Sequence, residues 1–266
     1  MPEEQPSVLC EVDTRGVATV TLNRPHVNNA YNGDMVKRLL DGARALAADD
    51  AVRMIVIRGN GKHFQAGADL AWLTEVRIGT PEENLAVSQQ TTDAVRELNH
   101  CMKPTVALVQ GACFGGGTGV LAACDVVVAS DDALFSIAEV RWGLHPGPIV
   151  PQLAAAIGPR QVRRYAITAE RFDAETAQRL GLVHAVCPRD KLDETGEAIV
   201  DSILMNGPSG MAETKRTLFA TSGLYMDDDL AAELAESHSR QRQTDEAAEG
   251  LLSFAEKRNA AWYPGK

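Results

Sequence analysis

The sequence predicts an α/β fold, and three observations carry that prediction. Short β-branched apolar runs alternate with segments of helical apolar spacing, and glycine-rich turns stand between them. From about residue 190 the pattern becomes charge-rich and helical, which marks a change of architecture toward the C-terminus.

The first strand expected is Val17–Leu22 (VATVTL), which stops at Asn23-Arg24-Pro25 because proline removes a ladder donor. Asp34–Ala48 carries Met35, Val36, Leu39, Leu40, Ala43, Leu46 and Ala47 at helical spacing. Met54–Ile57 is the next strand, closed by Gly59-Asn60-Gly61, and Lys62–Leu70 is a turn leading into a helix. A polar helix is expected from about Pro81 to Asn99, since Pro81 with Glu82 and Glu83 suits a helix start. Pro104–Val109 is a strand, Gly115–Cys124 a loop turning into a helix, and Val126–Ala129 a buried strand. Asn206-Gly207-Pro208 breaks the helical tail. The expected division is a core over residues 1–190 and a helical region over 191–266.

Composition narrows the class of function. With 266 residues and 45% hydrophobic content the chain can bury a sizeable core, while 36 acidic against 26 basic residues give a net charge of -10. That balance argues against broad nucleic-acid binding and against a polybasic membrane surface. No apolar run approaches the length of a bilayer span, and the opening MPEEQPSVLCEV lacks the features of a secretion signal, so a cytoplasmic location is expected. Cys10, Cys101, Cys113, Cys124 and Cys187 are odd in number and form no CxxC, which predicts buried thiols rather than disulfides or a zinc cluster. His26, His100, His184 and His238 show no metal-ligand spacing.

The stretch GACFGGGTGVLAACD at residues 111–125 concentrates glycine at the start of a helix. It fits neither G-x-G-x-x-G nor a P-loop, and the nucleophile elbow G-x-S-x-G is absent. The chemical use left for such a loop is an oxyanion hole, in which backbone N–H groups stabilise charge developing on a carbonyl oxygen. A second donor is needed, and Gln65-Ala66-Gly67-Ala68-Asp69 is the best candidate to supply it.

Taken in order, LNRP followed by Asn29-Ala30, then HFQAGADL, GACFGGGTG with Cys124-Asp125, and FSIAEVRWGL resemble the crotonase (enoyl-coenzyme A hydratase/isomerase) superfamily. The resemblance continues through Ala156-Ile157-Gly158, TAERFDA and GLVH, so that it spans roughly residues 15–190, and more weakly the helical tail. The resemblance implies a spiral of ββα units with a C-terminal helical region that builds a homotrimer, often paired into a hexamer. It implies an acyl thioester whose carbonyl sits between the N–H groups of Ala68 and Gly116. No separate cofactor and no metal are implied, because coenzyme A is part of the substrate. Backbone around Asn28 and Ala66, with Gly115, Gly119 and Leu70 nearby, would hold the thioester. Lys62 or Lys257 would approach the coenzyme phosphates, and the tail from Leu251 to Lys266 could cover a neighbouring subunit's site. Asp69 would cap the helix that follows it.

Hydratases of the best-known type in this superfamily hold one water with two glutamates. The first of these lies two residues beyond the glycine triplet, where this chain has Gly119, whereas the second is present as Glu139. Three readings stay open. Glu139 alone handles both water and proton; a side chain on the substrate supplies the missing carboxylate or orients the water; or the enzyme is an isomerase, for which one carboxylate suffices. The motifs most resemble bacterial methylglutaconyl- and isohexenylglutaconyl-coenzyme A hydratases of leucine and acyclic terpene breakdown, whose substrates carry a distal carboxylate. A noncatalytic member that binds acyl thioester or RNA is the reading of a different class. His145, within GLHPGP, is open to two roles, pairing with a carboxylate in proton transfer or forming a hydrogen-bonded wall. His63 is expected at the surface or in support of the AGAD turn.

Overall fold

In the computed structural model, residues 5–223 and 225–264 are described. The chain begins with strands β1 (Val8–Val12) and β2 (Val17–Leu22), then α1 (Gly33–Ala48), β3 (Met54–Gly59), α2 (Leu70–Arg77) and α3 (Pro81–His100). It continues with β4 (Thr105–Val109), β5 (Ala112–Phe114), α4 (Gly116–Ala123), β6 (Val126–Ser130), β7 (Leu134–Ser136), α5 (Val150–Ile157) and α6 (Pro159–Thr168). β8 (Phe172–Asp173), α7 (Ala174–Leu180) and β9 (Ala185–Cys187) complete the strands among the described residues. The helices α8 (Leu192–Leu204), α9 (Pro208–Ser222), α10 (Asp228–Arg242) and α11 (Asp245–Ala255) follow, with the break at Asn206-Gly207-Pro208 where the sequence predicts it.

Six strands form the larger sheet in the order β1-β2-β3-β4-β6-β9, antiparallel at β1/β2 and parallel elsewhere. Its inner strands are apolar on both faces because both faces are covered. Ala18, Val20, Ile55, Ile57, Ala107, Val109 and Val127 point into one core with α1, α3 and α4. Their alternates Val17, Met54, Val56, Val106, Leu108 and Val128 point into a second core closed by Leu192 and Val200 of α8. Gly196 of α8 makes that approach close, since a Cβ there would meet Leu108 Cδ2 at 2.7 Å. The helical region therefore begins by covering the sheet. Lys215 of α9 adds an ion pair to Asp125 at 2.7 Å, and the same Asp125 oxygen accepts from the backbone N–H and hydroxyl of Thr105.

The smaller sheet, β5-β7-β8, carries the segment from which the site is built. Isolated parallel bridges Gln65↔Cys113 and Tyr31↔Ala68 extend its pairing outward, so three separate loops lie side by side. All five cysteines are free, but only Cys101 and Cys113 are buried. Cys10 is exposed, contrary to the expectation of buried thiols, because it lies on the edge strand β1. Among the described residues no helix is long and apolar enough to cross a membrane.

Candidate active site

The three loops are held together by backbone. Tyr31 N–H donates to the Gly67 carbonyl at 2.9 Å, and Asp69 N–H donates to the Tyr31 carbonyl at 2.8 Å. In this parallel pairing Ala68 turns its own N–H away from Tyr31, and among the described residues nothing accepts it. Gln65 N–H reaches the Ala112 carbonyl at 3.1 Å, and Phe114 N–H reaches the Gln65 carbonyl at 2.9 Å. His63 Nδ1 accepts from Ala112 N–H at 2.9 Å, which gives it the supporting role expected beside the AGAD turn. Gly116 opens α4, where a helix has no internal partner for its N–H. Two free backbone donors thus come from two neighbouring turns.

Asn28 and Asn29 both adopt positive φ, at 57° and 55°, which asparagine tolerates better than most side chains. Ala66 N–H donates to the Asn28 carbonyl at 3.0 Å. The fully buried Asn29 amide donates to the carbonyls of Asn60 and His63 and accepts from Arg24 N–H. Asp69 caps α2 as the sequence predicts, accepting from Trp72 N–H at 3.4 Å, and it also pairs with Arg24 at 3.2 Å.

Two cavities meet here. The outer cleft holds about 620 Å³ and is lined by Asn28, Ala66, Ala68, Asp69, Leu70 and Gly115, together with Arg171, Trp142 and Phe254. The inner pocket holds about 70 Å³ and is walled mainly by aliphatic side chains of α1, α3 and the large sheet, with Gly116, His145 and Ile149. Tyr31, Glu139 and His238 line both. Lys62 and Lys257 are exposed and line neither cavity, so the cations of the cleft wall are Arg141 and Arg171. Arg171 sits over the face of Phe114, 5.2 Å from the ring centre.

Glu139 lies on a short 3-10 turn, Glu139–Trp142, after β7. Its Oε2 is covered from solvent without a hydrogen-bond partner among the described residues. Burial pushes the carboxyl up to about 7, against opposing backbone N–H groups of Glu139 and Ala138. A carboxyl tuned to that range takes and returns a proton near neutrality. Gly115 adopts φ 51°, ψ -126°, a conformation open to glycine, and a Cβ there would lie 2.9 Å from Glu139 Oε1. The triplet thus lets the carboxylate come against the donor turn.

Gly119 does not line either cavity. A Cβ at this position would lie 2.1 Å from Ile149 Cγ2 and 2.6 Å from its Cβ, so Ile149 occupies the space a side chain from position 119 would need. His145 lines the inner pocket, where burial lowers its pKa, and its Nε2 lies 2.8 Å from where a Cβ on Gly147 would be.

His238, which lines both cavities, and Arg242, which lines neither, carry no motif. They extend the stripe Ala231, Ala235, His238, Arg242 on the buried face of α10, a helical spacing that is the one signal in the sequence that places them inward. Arg242 is 1% exposed and donates to the Asn84 side chain at 3.0 Å, the Asn84 carbonyl at 2.7 Å and Ser88 Oγ at 2.8 Å. Burial brings its pKa down to about 10. Tyr31 is pushed up by burial and by the Glu139 charge. Among the described residues no group of three His, Cys, Asp or Glu side chains is placed to hold a metal ion.

Comparison with known proteins identifies the family. The profile of the family described as enoyl-CoA hydratase/isomerase matches residues 13–264. A crotonyl-CoA hydratase of Syntrophomonas wolfei is 31% identical over 92% of this chain and 93% of its own length. A mitochondrial Delta(3,5)-Delta(2,4)-dienoyl-CoA isomerase of Dictyostelium discoideum is 31% identical over 92% of this chain and 87% of its own. The crystal structure of an enoyl-CoA hydratase from Mycobacterium avium superposes with a TM-score of 0.83 at 32% identity, covering 97% of this chain and 100% of that one. The two mixed sheets, the paired donor turns and these matches together show that the chain belongs to the enoyl-CoA hydratase/isomerase family, as an enzyme of the enoyl-CoA hydratase type.

Proposed function

We infer that the protein adds water across the 2,3 double bond of a branched enoyl-coenzyme A thioester of glutaconyl type, with Glu139 as its only catalytic carboxylate. The observation that carries the reading is the unpartnered Oε2 of Glu139, buried at the meeting of the two cavities with its pKa pushed to about 7. The thioester oxygen would accept from Ala68 and Gly116, and fixed donors in a dry site favour the enolate-like charge that develops there. Glu139 takes a proton from water as the water oxygen bonds to the β carbon, then passes a proton to the α carbon. Coenzyme A would lie in the outer cleft along Asn28, Ala66 and Leu70, with Arg141 and Arg171 in the phosphate role first given to Lys62 and Lys257. The aliphatic inner pocket suits a branched hydrocarbon arm.

A second reading, double-bond migration, draws support from Ile149, which leaves a single carboxylate as a proton shuttle would need. The two are separated by offering methylglutaconyl, isohexenylglutaconyl and crotonyl thioesters alongside a 3-enoyl thioester. Hydration of a glutaconyl thioester ahead of crotonyl supports the first reading. Migration of the 3-enoyl double bond without any hydration would replace it with the second.

A further inference from the structure

His238 reaches the junction of the two cavities from α10, far along the chain from the segments that hold the oxyanion donors and Glu139. It is 9% exposed, and its Nδ1 is covered from solvent with no hydrogen-bond partner among the described residues. Leaving such a nitrogen unpaired is costly, and a fold retains it where a ligand or water completes the bond. Glu139 Oε2 is unpaired in the same way, and both side chains line both cavities. Meanwhile Ile149 closes the place from which position 119 would present a second carboxylate.

We propose that His238 is the positioning residue that holds the attacking water opposite Glu139, in the place of the missing carboxylate. The inference rests on the hydration reading above. Burial, with Arg242 and His145 nearby, brings His238 down to about 3, so the ring is neutral at working pH and offers one donor and one acceptor nitrogen. In either tautomer Nδ1 gives the water a second fixed neighbour without competing for its proton. That proton goes to Glu139, the water oxygen bonds to the β carbon, and the double-bond electrons move to the thioester oxygen. Glu139 then returns the proton to the α carbon, so the sum is one water added.

The test compares hydration of a 2-enoyl thioester with migration of a 3-enoyl thioester, since migration needs Glu139 and no water. His238→Phe keeps the ring volume and removes both nitrogens. The ratio of hydration kcat to migration kcat is expected to fall by about a hundredfold with KM for the thioester little changed. His238→Gln, which restores a polar atom, is expected to recover part of that loss. Hydration within threefold of the unsubstituted protein, or both reactions falling together in His238→Phe and His238→Gln alike, would overturn the inference and leave the hydration reading standing. If the unsubstituted protein migrates the double bond and hydrates nothing, the hydration reading itself has failed and the inference falls with it.

Discussion

The proposed mechanism concentrates the chemistry in the Glu139 carboxyl, whose buried environment sets a measurable pH dependence. Its pKa rises from an ordinary 4.5 to about 7 on folding, so the folded chain binds the proton more tightly than the unfolded one. That contribution favours the fold at low pH and is lost as pH rises through about 7. The cost of keeping the ionised form buried above that pH is about 3 kcal/mol. Glu139→Gln is therefore expected to be more stable than the parent in urea at pH 8 by up to about 3 kcal/mol, and about equal to it near pH 4. Activity follows the opposite trend: kcat/KM should rise through a pKa near 7 as the carboxyl ionises into the base that accepts water's proton. Gly119 gives a second test at this scale. Gly119→Ala drives a Cβ into Ile149 and should cost about 1–3 kcal/mol, with Ile149→Ala in the same chain recovering part of that loss in a double-mutant cycle.

Among the elements, the Glu139–Trp142 turn is clamped by the C-terminal helices. Gln241 of α10 donates to the Gly143 carbonyl at 2.8 Å, and a Cβ on Gly250 of α11 would lie 2.2 Å from the Trp142 carbonyl oxygen. Backbone on the receiving side cannot yield cheaply. Gly250→Ala should lower thermal stability and reduce kcat by on the order of tenfold or more as the turn shifts, as measured by calorimetry and steady-state kinetics. The helical tail thus lines the outer cleft through His238 and Phe254. The central strands were legible because their apolar runs serve two covered faces, and α1 and α3 because their starts and spacing are ordinary. β5, β7, β8 and β9 span two or three residues each, too short to show a period, and exist through pairing with distant loops. The two turns proposed to hold the thioester oxygen were legible as glycine patterns. His238 was not, because one histidine in a charged helix acquires meaning only from what the helix packs against.

At the scale of the whole molecule, the C-terminal helices and the segment after α11 leave apolar side chains outside. Leu218, Leu252, Phe254, Trp262 and Tyr263 are each between 46% and 58% exposed, more than a lone chain gains from keeping in water. Gly265 and Lys266, at the end of that tail, lie outside the described residues. The homotrimer or hexamer that the family resemblance implies would cover this surface, and light scattering is then expected to give a mass three or six times that of the chain. A monomer at micromolar concentration would contradict it. Although the chain carries a net charge of -10, Arg141 and Arg171 line the cleft, where the proposed function would put a coenzyme phosphate.

The central claim, that Glu139 alone carries the proton chemistry between two backbone donors, is tested most directly by Glu139→Gln, which keeps shape and removes basicity. Turnover of the preferred enoyl thioester should fall by about a thousandfold or more while the thioester still binds. Near-normal turnover in this variant would contradict the account.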